Sequence, residues 1–214
     1  MTVLPLVTLA CVSAWVGLVL IAQLVNPEQS ALSMGMSGLA TGRYGWIMRL
    51  AFVVRGAAAL ALVAAVSGLV PEAARSAAGL VLFALWGGGS ALLAAYDTDM
   101  PGDAPTAHGR AHVLIALVAY AAAVVGMVLV SMRLGEAEAT TGLARWALPI
   151  AWLAAVAMVA QFAGFGAAAR DAGTDEAAEA RTQAYGGLGR YAGLLQRVFL
   201  AVVMLWTALV AAGI

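Results

Sequence analysis

Six predominantly apolar stretches, each long enough to cross a lipid bilayer, fill this 214-residue chain. They lie at residues 3–24, 47–69, 76–95, 112–132, 146–167 and 192–213. A helix needs about 20 apolar residues to span the hydrocarbon core, and its backbone groups must be hydrogen-bonded within the segment. The pattern therefore predicts an all-α fold, a polytopic membrane protein whose six-transmembrane-helix bundle forms one domain over residues 1–214.

The composition agrees with this interpretation and excludes some classes of partner. Residues with hydrophobic side chains make up 64% of the chain, and the mean hydropathy is +0.95. The formal net charge is zero, which argues against a nucleic-acid partner. The single cysteine, Cys11, lies inside the first stretch, so no intramolecular disulfide is expected. That stretch lacks a basic leader region and a small-residue cleavage site, and we expect it to be a mature helix.

The arginines predict the orientation in the membrane, because all 11 basic residues are arginine. The loops after helices 2 and 4 carry Arg75, Arg133 and Arg145. The loops after helices 1, 3 and 5, with their flanks, carry Arg43, Arg49, Arg110, Arg170, Arg181, Arg190 and Arg197. The positive-inside rule then predicts a multi-pass protein of the cell membrane with loops 1, 3 and 5 in the cytoplasm. The loop after helix 5 also predicts a short surface helix near residues 174–184.

Polar residues within the apolar stretches and at their ends collect toward one side of the membrane, the side of loops 1, 3 and 5. They are Gln23, Asn26, Arg49, Arg55, Asp97, Asp99, His112, Gln161, Gln196 and Arg197. The opposite half holds hydroxyl side chains inside its helices, such as Ser13, Ser67, Ser131 and Thr207. A charged side chain deep in a bilayer costs at least about 2.5 kcal/mol, so it normally faces the bundle interior. The asymmetry predicts a polar cavity that opens to one face.

Arg55 is the most deeply placed charge in this set. Apolar residues precede it in the second stretch, and the apolar run 56–66 follows it. Asp97 and Asp99, at the same level on the third helix, are its expected partners. The alternatives are that Arg55 extends toward lipid phosphate or forms a purely structural ion pair.

Residues 97–112 combine acidic side chains with both histidines of the chain. His108 and His112 are spaced to share one helical face, a spacing that can offer two imidazoles to zinc, and Asp99 could complete the site. Pro101 and Pro105 make the segment between turn-like, and there is no third histidine. No cofactor is therefore expected, and a divalent metal is the alternative.

The preferred hypothesis for this stretch is acid–base chemistry. A histidine at a helix start beside carboxylates is suited to proton transfer near neutral pH. The expected catalytic residues are Asp97, Asp99 and His112. The expected substrate-binding residues are Arg55, Arg197, Gln161, Asn26 and Ser33. The alternative is a histidine that only hydrogen-bonds a loop carbonyl.

The chain also resembles, over essentially its whole length, a bacterial family of six-helix membrane proteins known as domain of unknown function 998. The resemblance rests on four features: the segments 33–38 and 44–46, the aspartate ending the third helix, the segment 106–112, and Gln196-Arg197 with Trp206. The family's Gly-Arg-x-His helix start corresponds to His112, and His108 lies outside that motif. The resemblance implies a six-helix bundle and no particular activity.

Three functions are compatible with these features. The leading hypothesis is a membrane-embedded enzyme that performs acid–base chemistry on a lipidic or isoprenoid-like substrate. The second is a non-catalytic protein that binds a lipid or other ligand, or a subunit of a larger complex. The third is a small transporter, for which no inverted repeat is visible. The expected partners are membrane lipids and a lipidic or amphipathic small molecule, and a homo-oligomer is compatible with each hypothesis.

Overall fold

The computed structural model describes residues 3–100, 103–172 and 187–214. Over these residues the chain forms helices and no strand. The long helices are α1 (Val3–Leu24), α2 (Gly45–Leu69), α3 (Ala77–Leu92), α4 (Ala107–Leu134), α5 (Glu138–Ala172) and α6 (Ala192–Gly213). Short 3₁₀ helices lie at Met36–Ala40, Glu72–Ala74, Leu93–Ala95 and Gly189–Tyr191. Six helices, with α3 counted together with its 3₁₀ extension, are long and apolar enough to cross a membrane, which confirms the predicted all-α, six-helix membrane fold.

Helix ends differ from the predictions where polar residues extend a helix beyond its apolar part. Helix α4 begins at Ala107, not at residue 112, because the Thr106 hydroxyl caps it by accepting a hydrogen bond from the Gly109 N–H at 2.9 Å. Helix α5 begins at Glu138, not at residue 146. Hydropathy marks the lipid-spanning part of a helix, whereas caps decide where the helix starts. The surface helix predicted near residues 174–184 lies outside the described residues.

The helices pack in chain order, and α1 closes the bundle against α6. Helix α6 also contacts α2 and α4, so it lies toward the inside of the bundle. Small residues allow close approach, as expected where lipid supplies no hydrophobic drive between helices. A Cβ added to Gly56 of α2 would lie 2.6 Å from the Gly87 carbonyl oxygen of α3. This end of the α2–α3 contact therefore requires glycine.

The antiparallel helices give the bundle two unlike ends. At the near end lie loop 1 (residues 25–44), loop 3 (residues 96–106) and the start of α6. At the far end, a short turn at residues 135–137 joins α4 to α5. The polar residues identified in the sequence lie at the near end, where the loops bring them together.

Candidate functional site

Arg197 of α6 fastens loop 1 onto the near end of the bundle. Its Nη1 donates to the carbonyl oxygens of Ala31 and Met34, both at 2.9 Å. Its Nη2 donates to Gln23 Oε1 at 2.6 Å. The guanidinium is thus occupied by loop 1, and Arg197 does not line the cavity described below. The expectation that Arg197 holds a substrate anion is wrong, because the loop folds onto the charge and uses its donors.

The same turn of α6 fixes the 3₁₀ helix within loop 1. Gln196 Oε1 accepts the Met36 N–H at 2.7 Å, and Gln196 Nε2 donates to the Tyr120 hydroxyl of α4 at 3.4 Å. A Cβ on Gly193 would collide with the Met34 carbonyl, so only glycine lets the loop approach α6 this closely. Loop 1 is therefore held in place, and it covers the space between α4 and α5.

Beneath loop 1 lies a cavity of about 690 Å³. Loop 1, loop 3, α4, α5 and α6 all contribute to its wall. Most of the wall is apolar, and the polar side chains in it are Ser33, Ser37, Thr98, Asp99, His112, Gln161 and Gln196, together with the hydroxyl of Tyr120. The cavity lies at the near end of the bundle, the end where the sequence collects polar residues.

The cavity reaches the lipid-facing surface between α4 and α5. Val113 and Leu117 of α4 and Phe162 of α5 line it, and these side chains are also exposed on the outside of the bundle. Val113 is 63% exposed and Phe162 is 39% exposed. Because both residues lie in membrane-spanning helices, their exposed surface faces lipid. An apolar chain can therefore reach the cavity from the bilayer without crossing water.

His112 lies at the polar end of the cavity and is held in one tautomer. Its Nδ1 lies 2.7 Å from the Tyr96 carbonyl oxygen, and its Nε2 lies 3.0 Å from Ser37 Oγ. A carbonyl oxygen only accepts, so Nδ1 carries the proton and donates to Tyr96. In the neutral imidazole, Nε2 then accepts a hydrogen bond from the Ser37 hydroxyl. The ring is a positioned base with a hydroxyl at its basic nitrogen.

Gln161 supplies an amide that the protein leaves free. The side chain is fully buried in α5 and lines the cavity. Neither its Nε2 nor its Oε1 has a hydrogen-bond partner among the described residues. A buried amide without a partner costs free energy, so the group is suited to bind a polar ligand. Gln161 therefore lies at the cavity, and its role in substrate binding stays a prediction.

Arg55 is fully buried, but its neighbours differ from those expected. Its Nε donates to Ser90 Oγ at 3.0 Å, and its guanidinium carbon lies 4.7 Å from the Trp86 ring centroid. Nη1 and Nη2 have no hydrogen-bond partner within the described ranges. The expected pairing with Asp97 or Asp99 is wrong, because Arg55 lies about 9 Å deeper along α2 than Arg49. Arg49, which lies at the level of loop 3, forms the ion pair with Asp97 instead.

Both aspartates of loop 3 have partners other than His112. Asp97 pairs with Arg49 Nη2 at 2.5 Å on the exposed surface. Asp99 accepts the Thr106 hydroxyl at 2.7 Å and the Thr106 N–H at 3.0 Å, and these two bonds hold the pKa of its carboxyl below its ordinary value. Neither carboxylate forms a hydrogen bond with His112. The expected aspartate–histidine proton pair is therefore not assembled, although Asp99 lines the edge of the cavity.

The two remaining predicted binding residues, Ser33 and Asn26, differ in their position relative to the cavity. Ser33 lines the cavity from loop 1. Asn26 is buried, its Nδ2 donates to the Ala22 carbonyl at 2.7 Å, and it is not part of the cavity wall. The expectation that Asn26 contacts a substrate is therefore wrong, since its amide instead satisfies a carbonyl at the end of α1.

The metal alternative finds no support in the described part of the chain. His108 is exposed and packs on the Tyr96 ring with a centroid distance of 5.5 Å, while both nitrogens of His112 are already hydrogen-bonded. Within residues 3–100, 103–172 and 187–214, no group of three or more metal-ligating side chains comes together.

The structure adds two residues to the site that the sequence did not single out for it. Ser37 contacts His112 from loop 1, and Tyr120 lies between Gln196 and the aromatic neighbours of Arg55. Ser37 is part of the segment 33–38, but nothing in the sequence ranks it above Ser33. Its pairing with His112 joins residues 75 positions apart, which only the fold reveals.

The sequence was compared with models of known protein families. A family model described as "protein of unknown function (DUF998)" matches residues 8–213, nearly the whole chain. Searches of curated proteins and of solved structures find no match. The family description assigns no activity, so the site has to be interpreted from its own chemistry. The chain belongs to the DUF998 family.

Proposed function

We propose that this protein is an enzyme of a bacterial cell membrane that performs acid–base chemistry on the polar end of a lipidic or isoprenoid-like amphiphile. The observation that carries the proposal is the cavity that connects the lipid-facing side of the bundle with His112. Its volume of about 690 Å³ is in the range of pockets that bind small molecules, roughly 300–1,000 Å³.

The walls of the cavity match the two parts of an amphiphile. An acyl or isoprenoid tail would leave between α4 and α5, beside the lipid-exposed Val113 and Phe162. The polar end would lie under loop 1, where Gln161 offers an amide donor and acceptor without a protein partner. Hydrogen bonding to this end would remove the cost of the buried, unpaired amide.

Arg55 favours a negative or electron-rich polar end. Its charge is fully buried, and no acid lies within salt-bridge distance of it among the described residues. Tyr120, which lines the cavity, packs on the Trp86 ring, and the guanidinium lies over that same ring. In a low-dielectric interior, such an uncompensated charge produces a strong positive potential nearby. Arg55 would thus contribute to binding through its field, without direct contact with the cavity.

His112 is the proposed acid–base group, as the sequence suggests, but its partners are Tyr96 and Ser37 and not an aspartate. Its orientation comes from the Tyr96 carbonyl, and Nε2 faces the cavity side of loop 1. Asp99 remains at the cavity edge, where water from the loop side can reach it. By the distribution of arginines, loops 1, 3 and 5 would be cytoplasmic, so the polar end of the substrate would lie near the cytoplasmic face.

Incubation of detergent-purified protein with a total bacterial lipid extract tests the proposal. We expect chromatography coupled to mass spectrometry to show one lipid class decreasing and a product appearing. His112→Ala should abolish this conversion, while native mass spectrometry should still detect the bound lipid. Trp152→Phe, a lipid-facing change in α5 outside the cavity, is the control and should convert lipid like the wild type.

The outcome distinguishes catalysis from simple binding. A retained lipid that stays chemically unchanged would overturn the catalytic proposal in favour of a non-catalytic lipid-binding protein. Wild-type turnover in His112→Ala would remove His112 from the chemistry. A protein that neither retains nor converts lipid would contradict the proposed function altogether.

A further inference from the structure

Ser37 and His112 have the geometry of a nucleophile and its base. The Oγ–Nε2 distance is 3.0 Å, within the reach of about 2.6–3.2 Å expected for such a pair. The Tyr96 carbonyl holds the proton on Nδ1 and thereby presents the basic nitrogen to Ser37. Both side chains line the cavity, and Ser37 is only partly buried. A bound molecule can therefore reach the hydroxyl.

Ser37 is held in position by several contacts around it. It lies in the 3₁₀ helix Met36–Ala40, whose first N–H is bound by Gln196 Oε1 at 2.7 Å. Arg197 fixes the preceding Met34 through its carbonyl. The hydroxyl is thus presented by a segment that α6 holds in place, and such preorganisation favours attack on a bound substrate.

Gln161 completes the set of groups that acyl transfer requires. Its Nε2 is buried, lines the same cavity and has no partner in the described part of the chain. A free amide donor in a water-poor cavity can stabilise the negative oxygen of a tetrahedral intermediate. The buried positive charge of Arg55, which lies over the Trp86 ring beside Tyr120, favours the same developing charge.

We propose that Ser37 is the nucleophile of an ester hydrolase and that the substrate is a carboxylic ester of a membrane amphiphile. This inference rests on the proposed function and assigns its reaction. The acyl or alkyl chain occupies the gap between α4 and α5, and the ester lies between Ser37 and Gln161. Water enters from the loop side, where Thr98 and Asp99 line the cavity.

The reaction proceeds in two balanced steps. Ser37 Oγ attacks the ester carbonyl carbon while its proton passes to His112 Nε2. The carbon–oxygen bond to the alcohol then breaks, and the alcohol leaves with that proton. In the second step, water attacks the acyl-enzyme and gives a proton to His112, which returns it to Ser37 Oγ as the acyl bond breaks. The products are a carboxylic acid and an alcohol.

Covalent labelling with a long-chain alkyl fluorophosphonate tests Ser37 directly. The serine oxygen forms a bond to phosphorus and fluoride leaves, and peptide mapping by mass spectrometry locates the adduct. We expect one adduct per chain, on Ser37, and none in Ser37→Ala. His112→Gln should slow labelling about 100-fold or more, because it removes the general base. Ser13→Ala, an exposed position on α1, is the control and should label at the wild-type rate.

Gln161→Leu tests the proposed oxyanion donor. We expect it to slow labelling about 100-fold, since removal of one such donor typically costs 100-fold to 1,000-fold. Thermal melting in detergent checks that each variant remains folded.

The result distinguishes this inference from the proposed function on which it rests. A wild-type protein that converts lipid but carries no fluorophosphonate on Ser37 would overturn the assignment of Ser37 as the nucleophile and leave the proposed acid–base function standing. Equal labelling rates in the wild type and His112→Gln would also overturn it. Absence of lipid binding and conversion would count against the proposed function itself.

Discussion

Helices α4 and α5 meet in opposite ways at the two ends of the bundle. At the far end, Thr140 Oγ1 donates to the Leu134 carbonyl at 2.6 Å, and Trp206 Nε1 of α6 donates to Ser131 Oγ at 2.9 Å. At the near end, a cavity separates the two helices, and Gln161 lies in it without a partner. These far-end groups join helices, whereas the Gln161 amide at the near end has no partner in the described part of the chain.

This difference between the two ends affects the stability of the protein. A buried polar group that is satisfied within the protein contributes modestly to stability, and an unsatisfied one costs about 1–3 kcal/mol. The near end therefore carries a cost that packing elsewhere must offset, as is common at functional sites. Changes at the far end should affect stability and leave ligand binding intact, while changes to the side chains that line the cavity at the near end should mainly affect ligand binding.

The largest effect is expected when the cavity is filled. Ala116 of α4 lines it, and Ala116→Trp should place the indole in the space that the substrate would occupy. We expect at least a tenfold loss of retained lipid by native mass spectrometry, with the protein still folded. Leu153→Trp, on the lipid-facing surface of α5, is the matched control and should keep its lipid. Unchanged lipid retention in Ala116→Trp would show that the cavity is not the binding site.

An intermediate effect is expected from Arg55→Met. Arg55 carries a buried charge and makes a single hydrogen bond. Methionine replaces it by an apolar side chain of similar length. We expect the free energy of unfolding to rise by about 1–2 kcal/mol, because buried charges are often replaced by apolar residues with a gain in stability. Retention of an anionic amphiphile should fall at the same time. Both are measured in detergent, by denaturant unfolding and by native mass spectrometry.

Arg197→Met provides the matched comparison for Arg55→Met. Arg197 makes four hydrogen bonds, to Gln23, Ala31, Met34 and Gly193, so its loss should destabilise the protein and release loop 1. A destabilised Arg55→Met would contradict our interpretation and show that the Arg55 charge is balanced in the native protein.

The smallest effect is expected at the far end. Ser131→Ala removes the acceptor of the buried Trp206 N–H and should lower the free energy of unfolding by about 1 kcal/mol. Lipid retention and conversion should remain at the wild-type level. A loss of lipid in Ser131→Ala would mean that the two ends are coupled, contrary to the separation described above.

The near end also shows where sequence-based reasoning about the site succeeds and fails. Gln161, Ser33, Asp99 and His112 line one cavity at the end of the bundle where the sequence collects polar residues, because hydropathy gives the depth of each helix in the membrane. Their roles in binding and catalysis stay predictions. Depth alone does not give direction around a helix axis or the course of a loop. Arg197 and Asn26 have the right depth, but they bind backbone carbonyls outside the cavity.

The amino-acid sequence by itself determined the six-helix membrane fold and the collection of polar side chains at one end. The physical reason is that the cost of burying charge in lipid acts on each residue separately and can be read from its position. Only the tertiary structure decided which polar groups meet. In the folded protein Asp97 pairs with Arg49, Arg197 binds loop 1, and Ser37 contacts His112. These contacts depend on how loops 1 and 3 fold over the helices, and no local pattern specifies that.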